Sequence, residues 1–90
     1  MEKFRFTKHA LERIFSRRIS PEECQDVFDS GEIIEEYLDD QPFPSCLKME
    51  KVQERILHVV SSTDGDIVHI ITAYEPDPTL WSSDFKKRVK

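Results

Sequence analysis

Two glycines, two cysteines and no long hydrophobic run are the first features of this 90-residue chain. With so little glycine and only five prolines, it has neither a collagen repeat nor the bias of a low-complexity segment. The longest apolar stretches, Ile56–Val60 and Ile67–Ile71, are each broken by a histidine and fall far short of the ~20 residues of a membrane span. The opening residues MEKFRFTKHA lack the apolar centre of a secretory signal, so the sequence predicts a cytoplasmic protein with no membrane contact. Cys24 and Cys46 form no C-x-x-C pair and read as reduced packing residues. No glycine-rich phosphate loop, G-x-S-x-G or zinc-ligand spacing occurs, so neither cofactor nor metal is expected.

What is present is 38% hydrophobic and 34% charged, enough for one small domain over residues 1–90 with a single core. The net charge is −5, which as an average disfavours a nucleic-acid partner. The average hides a partition. Residues 1–18 carry a local +4, residues 19–55 a local −8, and residues 56–90 a local −1 with Lys86, Lys87, Arg88 and Lys90 gathered at the end. A basic start and a basic tail flanking an acidic middle can give one molecule an anion-binding face and a separate acidic face.

Thr7 is placed to cap a helix from Lys8 to about Arg17, with Ala10, Leu11, Ile14 and Phe15 as its apolar stripe. Ser20-Pro21-Glu22-Glu23 combines a capping Ser, a proline at the first helical position and a Glu at the third. The second helix then buries Cys24, Val27 and Phe28 and stops at Gly31. Beyond Gly31 the pattern turns to strands at about 32–37, 45–52, 55–62 and 66–74, the last two joined through Thr63-Asp64-Gly65-Asp66. Helices at about 8–30, a sheet at about 32–75 and a tail at 76–90 predict an α+β fold. In it, two N-terminal helices pack on a four-stranded antiparallel sheet.

If Asp64-Gly65 forms the turn, Val60 stands opposite His69 and His58 opposite Ile71, so both histidines share one face. Leu57, Val59, Val68, Ile70 and Tyr74 would share the other. One face takes the helices; the histidine face is left to the tail, to a partner, or to a cleft. Trp81 and Phe85 read as anchors tying the tail to the body.

His9, Arg13 and Arg17 recur at i, i+4 and i+8 and make one ridge on the first helix. Two guanidinium groups and an imidazole in line suit a phosphate; a solvated face paired with the acidic middle is the plainer reading. His58, within an apolar strand, needs a partner for its ring, either as a satisfied core residue or as a general acid or base on a rigid support. Tyr74 closes the last strand as an edge-of-core aromatic or a proton donor.

Phe6-Thr7-Lys8-His9-Ala10 with Arg13, Arg17 and Ile19, Gly31–Tyr37, Pro44–Leu47, Leu57–Val60, and Ile71–Asp77 with Trp81 and Phe85 resemble the family called domain of unknown function 4258. The resemblance spans about residues 4–88. It implies kinship with RelE-type RNA-cleaving toxins, a RelE-like fold of N-terminal helices on an antiparallel sheet, and a small zinc-finger antitoxin-like partner. The family motif positions fall on His9, Arg13, Arg17, His58 and Tyr74; His69 is not among them. Many members have Gly where this chain has Arg18.

The function expected on this basis is metal-independent cleavage of RNA by a toxin of a toxin–antitoxin pair. His9 and His58 would share the acid and base roles, Arg13 and Arg17 would hold the phosphate, and Tyr74 would support them. That chemistry needs both rings within ~3 Å, or one water, of the protons they move. The alternative is a non-catalytic regulatory module that binds a protein partner through the acidic middle.

Overall fold

The computed structural model describes residues 3–89; Met1, Glu2 and Lys90, the last belonging to the basic tail, lie outside them. Strand β1 (Lys3–Phe6) is followed by helices α1 (Lys8–Ser16) and α2 (Pro21–Ser30) and strands β2 (Glu32–Tyr37), β3 (Ser45–Val52), β4 (Arg55–Asp64) and β5 (Ile67–Tyr74). The sheet is five-stranded in the order β1-β5-β4-β3-β2. All neighbours are antiparallel except β1 and β5, which run parallel.

The expected four-stranded antiparallel sheet is therefore corrected to a five-stranded mixed one. The added strand is four residues long, too short to show a period, and it sits directly against the first helix. Its alternation is nonetheless plain once placed: Phe4 and Phe6 pack on the core, while Lys3 and Arg5 are exposed.

Both helices form for the local reasons visible in the sequence. The Thr7 hydroxyl accepts from the Ala10 amide at 3.0 Å. Ser20 and Glu23 close a reciprocal capping box, the Ser hydroxyl accepting from the Glu23 amide and the Glu carboxylate from the Ser20 amide. Gly31 ends α2 with an extended backbone, φ −74°, so it is not there for a left-handed turn. A Cβ at that position would stand 2.4 Å from the Val27 carbonyl oxygen and 3.0 Å from that of Met49. The glycine lets the helix end lie directly on β3.

The main core lies between the helices and one face of the sheet. Ile14, Ile19, Cys24 and Val27 meet Leu57, Val59, Val68, Ile70 and Ala73 there, all essentially without solvent contact. Burial pushes the Cys24 thiol up to about 12, as suits an inert packing residue. Both cysteines are free.

The β4–β5 hairpin differs from the expected register in two ways. Asp64 pairs with Ile67, so the turn residues are Gly65 and Asp66, and Gly65 takes the positive φ of +57° that a tight hairpin needs. Farther along, Val60 pairs with Thr72 but Ser61 with Ile70, leaving Ile71 as an extra residue in a β-bulge. His58 consequently stands opposite Tyr74, not Ile71, and Ser62 opposite His69. Tyr74, expected on the helix face, is carried to the face of His58.

Candidate functional site

On the face of the sheet turned away from the helices, a second small core forms under the tail. The tail folds into its own hairpin: the Ser82 amide donates to the Lys87 carbonyl at 2.8 Å and the Val89 amide to the Leu80 carbonyl at 2.9 Å. Trp81 is 4% exposed, and its ring meets that of His58 edge-on with centroids 4.5 Å apart. Leu47 and His58 are completely buried on this face.

Both nitrogens of His58 have neighbours. Nε2 donates to the Phe85 carbonyl at 2.9 Å, which assigns its proton and leaves Nδ1 as an acceptor. The Tyr74 hydroxyl faces Nδ1 at 3.4 Å, the long end of hydrogen-bond range. Burial pulls the imidazole below its ordinary pKa, against the opposing effects of the Phe85 carbonyl and Glu35, so the ring is neutral near pH 7. Burial raises the Tyr74 phenol, while Arg88 and Arg17 oppose that rise.

The tail is tied to the acidic edge strand. Arg88 grips Glu35 with two donors at 2.8 and 3.1 Å and lies 4.7 Å above the Trp81 ring. Lys86 pairs with Glu32 at 3.0 Å. The Tyr37 hydroxyl also donates to Glu35, and these partners together hold that carboxyl below its usual pKa, burial notwithstanding.

Arg17 approaches Tyr74 from the other side. It follows α1 as the helix cap and donates to the Ala73 carbonyl at 2.8 Å and the Thr72 hydroxyl at 3.3 Å. Strand β1 pairs with β5 only as far as Ile70, so this guanidinium takes the place of a strand along the remaining edge. The two basic ends of the chain thus converge on Tyr74, Arg17 from the start and Arg88 from the tail.

Of the residues singled out by sequence, the structure brings His58, Tyr74 and Arg17 together. His9 and Arg13 stand elsewhere. Both are exposed on α1 with no side-chain hydrogen bond or ion pair among the described residues. His9 precedes Arg17 by eight helical positions, about 12 Å of rise, and α1 lies on the face opposite His58. The acid–base pair of His9 and His58 is not assembled in this arrangement. Sequence reasoning missed Glu35 and Arg88; the charge partition, which set a basic tail against an acidic middle, was the signal for their pairing. It also set aside His69, which lines a separate open groove on the same sheet face.

The profile of the family described as Domain of unknown function (DUF4258) matches residues 6–75. The chain belongs to that family. No curated protein and no solved structure matches it detectably. The DUF4258 match takes in His9, Arg13, Arg17, His58 and Tyr74 and ends before Trp81, Phe85 and Arg88. In this DUF4258 chain the cover over His58 is therefore supplied from outside the matched span. No group of three or more His, Cys, Asp or Glu among the described residues is placed to hold a metal, and no helix among them is long and apolar enough to cross a membrane.

Proposed function

We propose that the protein is a toxin-like, metal-independent endoribonuclease, and that Tyr74 is the group that meets the RNA. The observation that carries this is the series of Phe85 carbonyl, His58 imidazole and Tyr74 phenol, with Arg17 bonded to the adjoining Ala73 carbonyl and Thr72 hydroxyl. A carbonyl fixes the tautomer, the neutral ring presents a lone pair, and a half-buried hydroxyl stands between that lone pair and solvent.

In the proposed step the ribose 2′-oxygen attacks the adjacent phosphorus. Its proton passes to the Tyr74 oxygen as the phenol's own proton moves to Nδ1 of His58. The bond to the 5′-oxygen breaks, that oxygen takes a proton from water, the hydroxide so formed takes up the proton held on His58 and restores the neutral ring, and a cyclic phosphate is left. Arg17 balances the charge gathering on the phosphate, and Arg13 and His9 extend a basic track along α1 for the neighbouring backbone. RelE-like kinship and a zinc-finger-type antitoxin partner belong to the same proposal.

The test is incubation of purified protein with single-stranded RNA in excess chelator. Cleavage by the wild type, reduced ~10²-fold or more in Tyr74→Phe with an unchanged melting curve, is the expected result. Equal cleavage by the two proteins removes the proposal.

A second reading is favoured by one observation. Strand β2 is an edge of the sheet, and beside Glu32 and Glu35, which the tail's Lys86 and Arg88 already hold, it presents exposed Glu36 and half-exposed Ile33. A basic extended segment of a protein partner fits such an edge, and the chain would then act as a non-catalytic regulatory module.

A further inference from the structure

The sheet face that carries His58 is covered at one end by the tail and flanked at the other by the loop before β3. Between them two concavities meet over β5. One, of about 670 Å³, is lined by Phe43, Asp40 and Asp64 together with His69 and Ile71. The other, of about 320 Å³, is lined by Arg5 and Thr7 and shares His69 and Ile71 with the first. The larger lies within the ~300–1,000 Å³ typical of small-molecule sites. They form one groove with His69 at its middle.

Strand register builds the floor. Arg5 of β1 pairs with His69 of β5, which pairs with Ser62 of β4, so three polar side chains cross the sheet in one row on one face. None of the three makes a side-chain hydrogen bond or ion pair among the described residues, whereas His58, Arg17, Arg55 and Arg88 are all engaged. Ile71, the bulge residue, is 47% exposed in the same groove, an apolar surface on the sheet half open to solvent. The bulge that turns Tyr74 toward His58 is thus also what lifts an apolar side chain into the groove.

The two ends differ in chemistry. Arg5 and the imidazole of His69 offer donors to an anion. Phe43 and Ile71 offer flat apolar contact, and Asp40 and Asp64 offer acceptors for amino groups. An apolar ring bearing amino groups, joined at a short distance to a phosphate, matches that division.

We infer that this groove binds one nucleotide unit of single-stranded RNA, with the base against Phe43 and Ile71 and a phosphate at Arg5 and His69. The inference deepens the RNA reading above by adding a site separate from Tyr74, one that would position the strand across the sheet.

The test uses a short, end-labelled single-stranded RNA made uncleavable by 2′-O-methyl groups, with binding followed by fluorescence anisotropy. Wild type is expected to bind. Phe43→Ala is expected to weaken binding at least about five-fold. Arg5→Gln is expected to reduce the slope of log affinity against log salt by ~0.7, the loss of one phosphate contact to a single strand. In ring-carbon NMR spectra of the wild type, the His69 signal should move on titration. Wild-type affinity in both variants, a stationary His69 signal, or no binding by the wild type each overturns the inference. Cleavage of unmodified RNA is scored separately. Binding without cleavage keeps the groove and removes the nuclease. Cleavage with both variants binding normally keeps the nuclease and removes the groove.

Discussion

The Nε2 of His58, on a central strand, donates to the backbone carbonyl of Phe85, in the tail, at 2.9 Å. The bond joins a completely buried ring to a segment that is otherwise held by exposed ion pairs and one tryptophan. Both the protonation of that ring and the seating of the tail are therefore open to measurement.

Acid should weaken the fold through His58 before it weakens it through carboxylates. Burial lowers the folded-state pKa of this histidine, whereas the unfolded chain protonates near ~6.5. The unfolded state thus binds the extra proton first, and stability is full above ~6.5 and lost as pH falls through that value toward the folded one. Glu23 and Glu35, whose folded pKa values are lowered, add their losses only on further acidification below about 4.5. Urea midpoints should fall between pH 7 and pH 5.5, and a His58→Gln variant, though less stable throughout, should show a shallower fall over that interval.

Removing Arg88 should loosen the tail without unfolding the sheet. The side chain is 54% exposed, so its pairing with Glu35 and its contact with Trp81 are together worth about 1 kcal/mol or less. Trp81 is the sole tryptophan and is nearly buried, which makes its emission a direct report. Arg88→Ala should shift that emission to longer wavelength, and high salt should do the same to the wild type by screening the tail's ion pairs. An unmoved spectrum under both conditions would contradict this account of how the tail is held.

Gly31→Ala should destabilise by ~1–3 kcal/mol, because the added methyl meets the Val27 and Met49 carbonyl oxygens and neither belongs to a side chain free to turn away. Thermal denaturation of the variant at neutral pH checks this.

Arg18→Gly should instead be neutral or stabilising, by up to about 1 kcal/mol. Arg18 holds φ +59° in the turn between the helices, a conformation that costs a side-chain-bearing residue ~1–2 kcal/mol and glycine almost nothing, less the extra unfolded-state freedom that glycine brings. Arg55 bonds the carbonyl of Arg18, not its side chain, so that contact survives the change. A lowered urea midpoint in the variant would refute the strain argument.

The parts of the fold that were legible in the sequence are those fixed by neighbours in the chain. Thr7, Ser20, Glu23 and Gly31 set the helix ends within a few residues of themselves, and the alternation of β4 and β5 showed two apolar faces. Strand β1 was missed because four residues carry almost no period and its pairing with β5 depends on residues more than sixty positions away. The candidate site was half legible. His58, Tyr74 and Arg17 were singled out by residue type, but their meeting depends on a bulge that no local pattern announces. The same kind of reasoning grouped His9 with His58, because helix spacing reports which residues share a ridge and not which side of a sheet the ridge lies on.

Ile71 gives the length of β5 a meaning of its own. Side chains alternate along a strand, so whether one surplus residue is bulged out or paired decides which layer everything after it points to. Were Ile71 paired in regular alternation instead of bulged out, the chain would keep every residue assigned to the site and still send the Tyr74 phenol in among Leu57 and Val59. The protein would lose its proposed reactive pair through a change of register, with no change of chemistry.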